Sequence, residues 1–155
     1  MSEEFAELYE AELSRQVRSA TLVLGSRQAA QDVVHDVFTE VYRRWDRLDD
    51  PAAYLQRSVV NRCRDVLRRR TVALRHRRSL RARDDDVPAI DAPLYDALGA
   101  LPFNQRAAIV LRFYLDMTEA EIAAVLECST GSVGPWIRRG LDRLAEQLHD
   151  EEVRP

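Results

Sequence analysis

PAAYLQRSVVNRCRDVLRRR, residues 51–70, predicts one amphipathic helix that organises the chain. Pro51 suits a first helical turn, where its missing N–H would have no intrahelical partner. At about 100° per residue, one face of this helix is apolar: Leu55, Val59, Cys63, Val66 and Leu67. The opposite face is polar: Tyr54 at its edge, with Arg57, Asn61, Arg64 and Arg68. One side therefore packs into a core, and the other presents guanidinium groups, an amide and an aromatic ring.

The polar face suits a nucleic-acid partner. Guanidinium groups bind phosphate, an amide can pair with a base edge, and a ring can stack on an unpaired base. The alternative is a solvated face, which is common for charged helices and usually mixes both signs of charge. This helix contains a single acid, Asp65, against six arginines: Arg57, Arg62, Arg64, Arg68, Arg69 and Arg70. The one-sided charge favours nucleic acid.

The charge of the 155-residue chain is segregated, although its net value is only −3. Residues 1–53 sum to −5, residues 54–83 to +10 and residues 84–155 to −8. The distribution indicates the partner better than the sum does. Cys63 and Cys128 lack metal-ligand or redox spacing, so both are expected to be structural in a reducing cytoplasm. No signal peptide follows Met1 and no apolar run approaches roughly 20 residues, which predicts a cytoplasmic protein without membrane insertion.

Apolar periodicity predicts an all-α chain of two small helical domains, residues 3–83 and 94–150, joined by a flexible linker. In the first domain, helices over about 3–24 and 27–47 precede the arginine helix. The linker, residues 84–93, reads DDDVPAIDAP and combines acids with two prolines. The side chains Asp32, His35, Asp36 and Glu40 lie on one side of the second helix, and composition alone favours solvent exposure for them.

The second domain has the spacing of a helix-turn-helix. A helix over 94–101 and another from Pro102 come first, and Thr118 with Glu121 predicts a capping box that opens a helix over 119–126. A turn at 127–128 leads to a last helix whose core stripe is Val133, Ile137, Leu141, Leu144 and Leu148. A small residue at 123, a turn at 127 and a branched residue at 133 match helix-turn-helix spacing, although other helical hairpins imitate it.

No constellation of residues indicates catalysis. The chain has no glycine-rich phosphate loop, no paired histidines and no Ser/His/Asp set at suggestive spacing. We therefore expect no enzyme activity, no catalytic residue, no metal and no cofactor.

The motifs together resemble the extracytoplasmic-function (ECF) sigma factors of bacterial RNA polymerase. Residues 30–38, AQDVVHDVF, resemble the region 2 signature AEDLVQEVF. Tyr54-Leu55, Asn61, Asp65 and the run Arg68-Arg69-Arg70 resemble the helix that recognises the promoter −10 element. Four short runs of the second domain resemble region 4, which recognises the −35 element: Leu101-Pro102, Gln105-Arg106, Leu111-Arg112 and Glu121-Ile122-Ala123.

The resemblance implies an alternative sigma factor that binds core RNA polymerase and directs initiation at promoter DNA, with an anti-sigma factor as a further partner. The implied polymerase contacts are Asp32, His35, Asp36, Phe38 and Glu40. The implied −10 contacts are Tyr54, Arg57, Asn61, Arg64, Arg68 and Arg69. The implied −35 contacts are Ser132, Trp136, Arg138, Arg139 and Arg143. The alternative is a stand-alone helix-turn-helix regulator, which would not require an acidic second helix.

Two departures from the family pattern concern the second domain. Glu127 stands where glycine is usual, and a left-handed conformation there would cost roughly 1 kcal/mol. Gly134-Pro135-Trp136 stands where Lys-Ser-Arg is usual. Pro135 either bends the last helix or, if that helix starts near Ser132, lies in its tolerant first turn. In both cases one cationic contact is missing, so we expect weakened −35 recognition.

Overall fold

The computed structural model describes residues 2–74 and 92–153, so the predicted basic continuation over 75–83 and linker residues 84–91 lie outside the described residues. The described part is helical and contains no strand, which confirms the predicted all-α class. Its elements are α1 (Glu3–Leu24), α2 (Arg27–Arg43), a 3₁₀ turn (Trp45–Arg47), α3 (Pro51–Leu74), α4 (Ala92–Ala100), α5 (Phe103–Ile109), a π-helical turn (Val110–Tyr114), α6 (Glu119–Leu126) and α7 (Thr130–Val153). The chain divides into two compact units, Met1–Val87 and Pro88–Pro155.

In the first unit, α1, α2 and α3 all pack against one another. Polar caps define their ends: the N–H of Phe5 donates to Ser2 Oγ, that of Ala29 to Ser26 Oγ, and that of Ala53 to Asp50 Oδ1. Gly25 ends α1 at φ 72°, a conformation that favours glycine. The core of the unit includes Leu55 and Cys63 of α3 together with valines of α2 and α3: Val33, Val34, Val37, Val41, Val59 and Val60.

Helix α2 ends at Arg43, four residues earlier than predicted. Arg44 leaves the helical conformation, and residues Trp45–Arg47 form a tighter 3₁₀ turn. The turn places the Trp45 ring 5.5 Å from the Phe5 ring, edge to face, within an aromatic cluster at the start of α1. The chain thereby reverses towards α3.

In the second unit, α4, α5 and α6 each pack against α7. Helix α4 begins at Ala92, so Pro93 of the predicted linker lies in a first helical turn. Arg106 is buried and its guanidinium donates to the carbonyl oxygens of Leu98, Gly99 and Leu101 at 2.9, 3.0 and 2.7 Å. These carbonyls lie at or just after the end of α4, so one arginine of α5 fixes the end of α4.

Helix α7 corrects two sequence predictions. Its buried face runs through Val133, Ile137, Gly140 and Leu144, so Leu141 is exposed rather than part of the core stripe. Gly140 takes that place because a Cβ there would lie 2.5 Å from Ile109 Cδ1. The helix begins at Thr130, which excludes a start near Ser132 and leaves Pro135 inside the helix.

Candidate protein and nucleic-acid interfaces

Helix α3 has the predicted two faces. Leu55, Val59 and Cys63 are buried, whereas Arg57, Arg68 and Arg69 are exposed. Burial raises the pKa of the Cys63 thiol to about 12, so this thiol stays protonated and unreactive at neutral pH. Tyr54, Asn61 and Arg64 are partly exposed on the polar side, and Arg64 Nη1 lies 3.5 Å from Asn61 Oδ1.

Arg62 and Arg70 of α3 bind groups on α2 and α1. Arg70 Nη1 donates to the carbonyl oxygen of Leu24, at the end of α1, over 2.9 Å. Arg62 forms ion pairs with Glu40 at 3.0 Å and Asp36 at 3.7 Å. Neither is among the four arginines predicted to contact DNA, which are Arg57, Arg64, Arg68 and Arg69.

The acidic side of α2 is exposed at Asp32, His35 and Asp36. Phe38 is not on that surface: it is 3% exposed, and its ring contacts those of Phe5 and Tyr9 at centroid distances of 6.4 and 4.9 Å. Phe38 therefore belongs to the core of the unit and not to the exposed acidic surface, and its role as a polymerase contact stays a prediction. The buried valines of α2 lie on the same helix face as Phe38, and this face packs into the core.

Glu40 is the centre of a polar cluster between α2 and α3, which we call the Glu40 cluster. Tyr54 Oη donates to Glu40 Oε1 over 2.6 Å, and Arg62 Nη2 donates to Glu40 Oε2 over 3.0 Å. Arg44 Nη2 lies 3.5 Å from Glu40 Oε1, and its guanidinium carbon lies 5.9 Å from the centroid of the Tyr54 ring. A predicted polymerase contact and a predicted DNA contact thus bind each other.

The cluster shifts two pKa values in opposite directions. The hydrogen bond from Tyr54 lowers the pKa of Glu40 from its ordinary value, aided by Arg62 and Arg44 and opposed by burial. The hydrogen bond to Glu40, followed by burial, raises the pKa of Tyr54. Both shifts favour the same state, in which a Glu40 carboxylate accepts a hydrogen bond from a neutral Tyr54 phenol.

The helix-turn-helix of the second unit consists of α6 and α7. Thr118 and Glu121 form the predicted capping box, and Glu127 adopts the left-handed conformation at φ 56°. At the start of α7, Ser132 and Trp136 are partly exposed, and Arg138, Arg139 and Arg143 are exposed. A Cβ added at Gly134 would lie 3.4 Å from Glu119 Oε1. A carboxylate therefore adjoins the site where the family pattern has a cation.

Other kinds of site are absent from the described residues. Within 2–74 and 92–153, no group of three or more His, Cys, Asp or Glu side chains could hold a metal ion. No helix in these two segments is long and apolar enough to cross a membrane.

Comparison with known proteins identifies the family. The profile of Sigma-70 region 2 matches residues 8–73, and that of Sigma-70, region 4 matches residues 91–144. The RNA polymerase sigma-E factor of Streptomyces avermitilis is 31% identical over 157 residues, covering 97% of this chain and 88% of the relative. That of Streptomyces coelicolor is 32% identical over 152 residues, covering 94% and 86%. The chain belongs to the sigma-70 family.

The sigma factor also shares its fold with a solved relative. The sigma factor RpoE of Bartonella quintana, solved with the anti-sigma factor NepR, superposes with a TM-score of 0.78 at 20% identity, over 96% of this chain and 98% of that one. The matches to regions 2 and 4, together with the sigma-E relatives, identify the chain as an ECF sigma factor. It binds core RNA polymerase and directs transcription initiation at promoter DNA. A stand-alone regulator is not favoured, because the matches include region 2.

The contacts that Arg44, Arg62 and Glu119 make in the structure were not predicted from the sequence. The spacing of Glu40 and Arg44 is i, i+4, which is a detectable signal for a helical ion pair. The contacts of Glu40 with Tyr54 and Arg62 join residues 14 and 22 positions apart, and no periodicity marks them. Glu119 near Gly134 likewise depends on how α6 packs on α7.

Proposed function

We propose that residues 3–83 bind core polymerase and recognise the −10 element, that residues 94–150 recognise the −35 element, and that residues 84–93 link them. The observation that supports this division best is that one three-helix unit presents an exposed acidic face on α2 and an exposed basic face on α3. The acidic face suits a basic protein surface, and the basic face suits phosphate. Opposite charges on neighbouring helices allow both partners to be bound at once.

The polymerase contacts in this proposal are Asp32, His35 and Asp36, which are exposed. The −10 contacts are Tyr54, Arg57, Asn61, Arg64, Arg68 and Arg69. Arginines bind the backbone, whereas Tyr54 and Asn61 recognise bases. In the second unit, Arg138, Arg139 and Arg143 bind phosphate, and Ser132 and Trp136 face the −35 base edges.

The sigma factor itself performs no catalysis in this proposal, because nucleotide chemistry belongs to the polymerase. Its location is the cytoplasm, where bacterial polymerase and DNA are. An anti-sigma factor is proposed as a regulator, since RpoE of Bartonella quintana forms a complex with NepR.

Co-purification with core polymerase tests the docking face. Asp32→Arg with Asp36→Arg reverses two exposed charges and is expected to abolish co-purification while circular dichroism remains helical. Asp36 also pairs with Arg62, so Asp32→Arg alone is measured as well. Glu7→Arg with Glu10→Arg, a matched reversal of two exposed acids on α1, is the control. Unchanged co-purification of the Asp32/Asp36 variant would contradict the proposal.

A further inference from the structure

We infer that Glu40 is a positioning residue for recognition of the −10 element and not a polymerase contact: it fixes the ring of Tyr54 and the guanidinium of Arg44 as one platform on which an unpaired base stacks. The inference rests on the proposed role of α3 in DNA recognition. It assigns Arg44, which the family resemblance did not indicate, to the DNA-binding surface.

The first argument is the occupancy of the Glu40 carboxylate. Oε1 accepts from Tyr54 and lies near Arg44, and Oε2 accepts from Arg62. The Glu40 side chain is 28% exposed, whereas that of Asp36, one turn earlier, is 69% exposed. Asp36, which pairs with Arg62 at 3.7 Å, is therefore more accessible to a protein partner than Glu40, both of whose oxygens already have closer donors.

The second argument is the orientation of Tyr54. A bond of 2.6 Å at its hydroxyl anchors the far end of the side chain, so the ring cannot change rotamer without breaking that bond. Arg44 lies over the ring with its guanidinium carbon 5.9 Å from the centroid. A base can then stack on the opposite ring face or on the guanidinium plane. A platform ordered before binding spares the entropy of ordering it on the DNA.

The third argument is charge, which distinguishes a positioning role of Glu40 from a purely structural one. Glu40 is an anion beside a DNA-binding helix, so its neutralisation should strengthen sequence-independent attraction to phosphate. If Glu40 positions the platform, the same change weakens preference for the −10 bases. A residue that only stabilised the fold would, when lost, weaken both kinds of binding.

The experiment uses full-length protein with core polymerase and a promoter located by run-off transcription on genomic DNA. Three quantities are measured: affinity for core polymerase, holoenzyme affinity for the single-stranded non-template −10 segment, and holoenzyme affinity for a scrambled strand of the same length. The variants are Glu40→Gln, Tyr54→Phe and their double. Glu10→Gln, an exposed acid on α1, is the charge-matched control.

We expect Glu40→Gln and Tyr54→Phe each to lower the preference for the −10 strand over the scrambled strand about three- to tenfold, the equivalent of one net hydrogen bond. The double variant should lose no more than the worse single one, because both changes act on the same bond: Glu40→Gln removes the charge of its acceptor and Tyr54→Phe removes its donor. Affinity of Glu40→Gln for the scrambled strand should rise, and affinity for core polymerase should stay within about twofold of the wild type. Glu10→Gln should leave the preference unchanged.

Three results would overturn the inference: weaker core binding by Glu40→Gln with the −10 preference intact, losses that multiply in the double variant, or a full preference retained by Tyr54→Ala. The proposed function fails separately, if the wild type binds no core polymerase. Thermal unfolding verifies that the variants fold. If Glu40→Gln does not fold, Tyr54→Phe removes only one hydroxyl and tests the same bond.

Discussion

Arg70 and Arg68 lie two positions apart on α3 but have different surroundings. Arg70 donates to the Leu24 carbonyl at the end of α1, whereas Arg68 is exposed. We expect Arg70→Ala to lower the free energy of unfolding by about 1 kcal/mol, since it leaves a helix-end carbonyl without this donor. We expect Arg68→Ala to leave stability unchanged and to reduce the salt slope of promoter binding by about one.

Urea unfolding and promoter titration at several salt concentrations measure both effects, and each variant is the control for the other. Loss of stability in Arg68→Ala, or an unchanged salt slope, would contradict the assignment of Arg68 to phosphate.

The opposite pKa shifts of Glu40 and Tyr54 predict a stability that depends on pH at both extremes. Because the pKa of Glu40 is lowered from 4.5, its contribution is present above that pH and is lost as pH falls through the lowered value. Because the pKa of Tyr54 is raised from 10.0, its contribution is present below that pH and is lost as pH rises through the raised value.

We therefore expect Tyr54→Phe to destabilise the first unit most at intermediate pH and least at the acidic and alkaline ends. Trp45 fluorescence during urea unfolding, in a Trp136→Phe background, reports the first unit alone. Tyr42→Phe, a change at an exposed tyrosine of the same unit, is the control. A destabilisation by Tyr54→Phe that is constant with pH would show that its hydroxyl is not linked to Glu40.

At the level of single residues, the sequence predicts features that depend on residues close together in the chain. The capping box at Thr118 and the cap at Gly25 follow from positions one to four residues apart, and both were predicted. The burial of Phe38 agrees with an apolar position in α2, and its prediction as a polymerase contact came from the family resemblance, which does not show which side chains of a motif face the core. The bond between Tyr54 and Glu40 was missed because it depends on how two helices pack.

At the level of elements, α7 shows how a proline can be accommodated. Pro135 cannot donate to the carbonyl of Gly131, four residues earlier. Gly131 is exposed, so water can reach its backbone. Helix α7 is continuous from Thr130 to Val153, so Pro135 lies inside the helix without ending it.

The same helix gives a restorative test of −35 recognition. We expect Gly134→Lys with Pro135→Ser to tighten full-chain binding to the upstream half of the promoter by about 1–3 kcal/mol, the scale of a good base contact. Glu119 lies close enough to pair with the new ammonium, so the full gain is expected only with Glu119→Gln added.

Gly131→Lys, which adds a cation one turn earlier and away from Glu119, is the matched control and should increase binding without sequence preference. Tight and selective binding of that half-site by the wild type would contradict the prediction of a weakened −35 contact.

The transition from α5 to a π-helical turn over Val110–Tyr114 was not predicted. Apolar periodicity indicates a helix but does not distinguish a bond to the fourth residue from one to the fifth. Asp116, two residues after the turn, has a positive φ of 54°, and the turn exposes Phe113 and Tyr114. Burial of Val110 and Leu111 against the rest of the unit compensates for the poorer hydrogen-bond geometry.

At the level of the whole molecule, the order of charge along the chain was the most informative sequence signal. A pI of about 5.7 would by itself disfavour DNA, but the positive charge is concentrated in residues 54–83. The all-α class also followed from periodicity. The different roles of the arginines could not be predicted from the sequence. Composition does not distinguish Arg62 and Arg70, which bind within the unit, from Arg68, which faces solvent.

The Glu40 cluster has a consequence for chimeric sigma factors. Transplanting a foreign α3 alone would break the bonds of Tyr54 and Arg62 with Glu40, and that of Arg70 with the end of α1. We expect such a graft to lower the melting temperature by several degrees and to lose −10 selectivity. A graft of all three helices, residues 1–87, should keep its stability and bring the donor's −10 preference with it. The smallest interchangeable part of this protein is thus the three-helix unit, because a DNA-binding helix exchanged alone would leave its positioning partner behind.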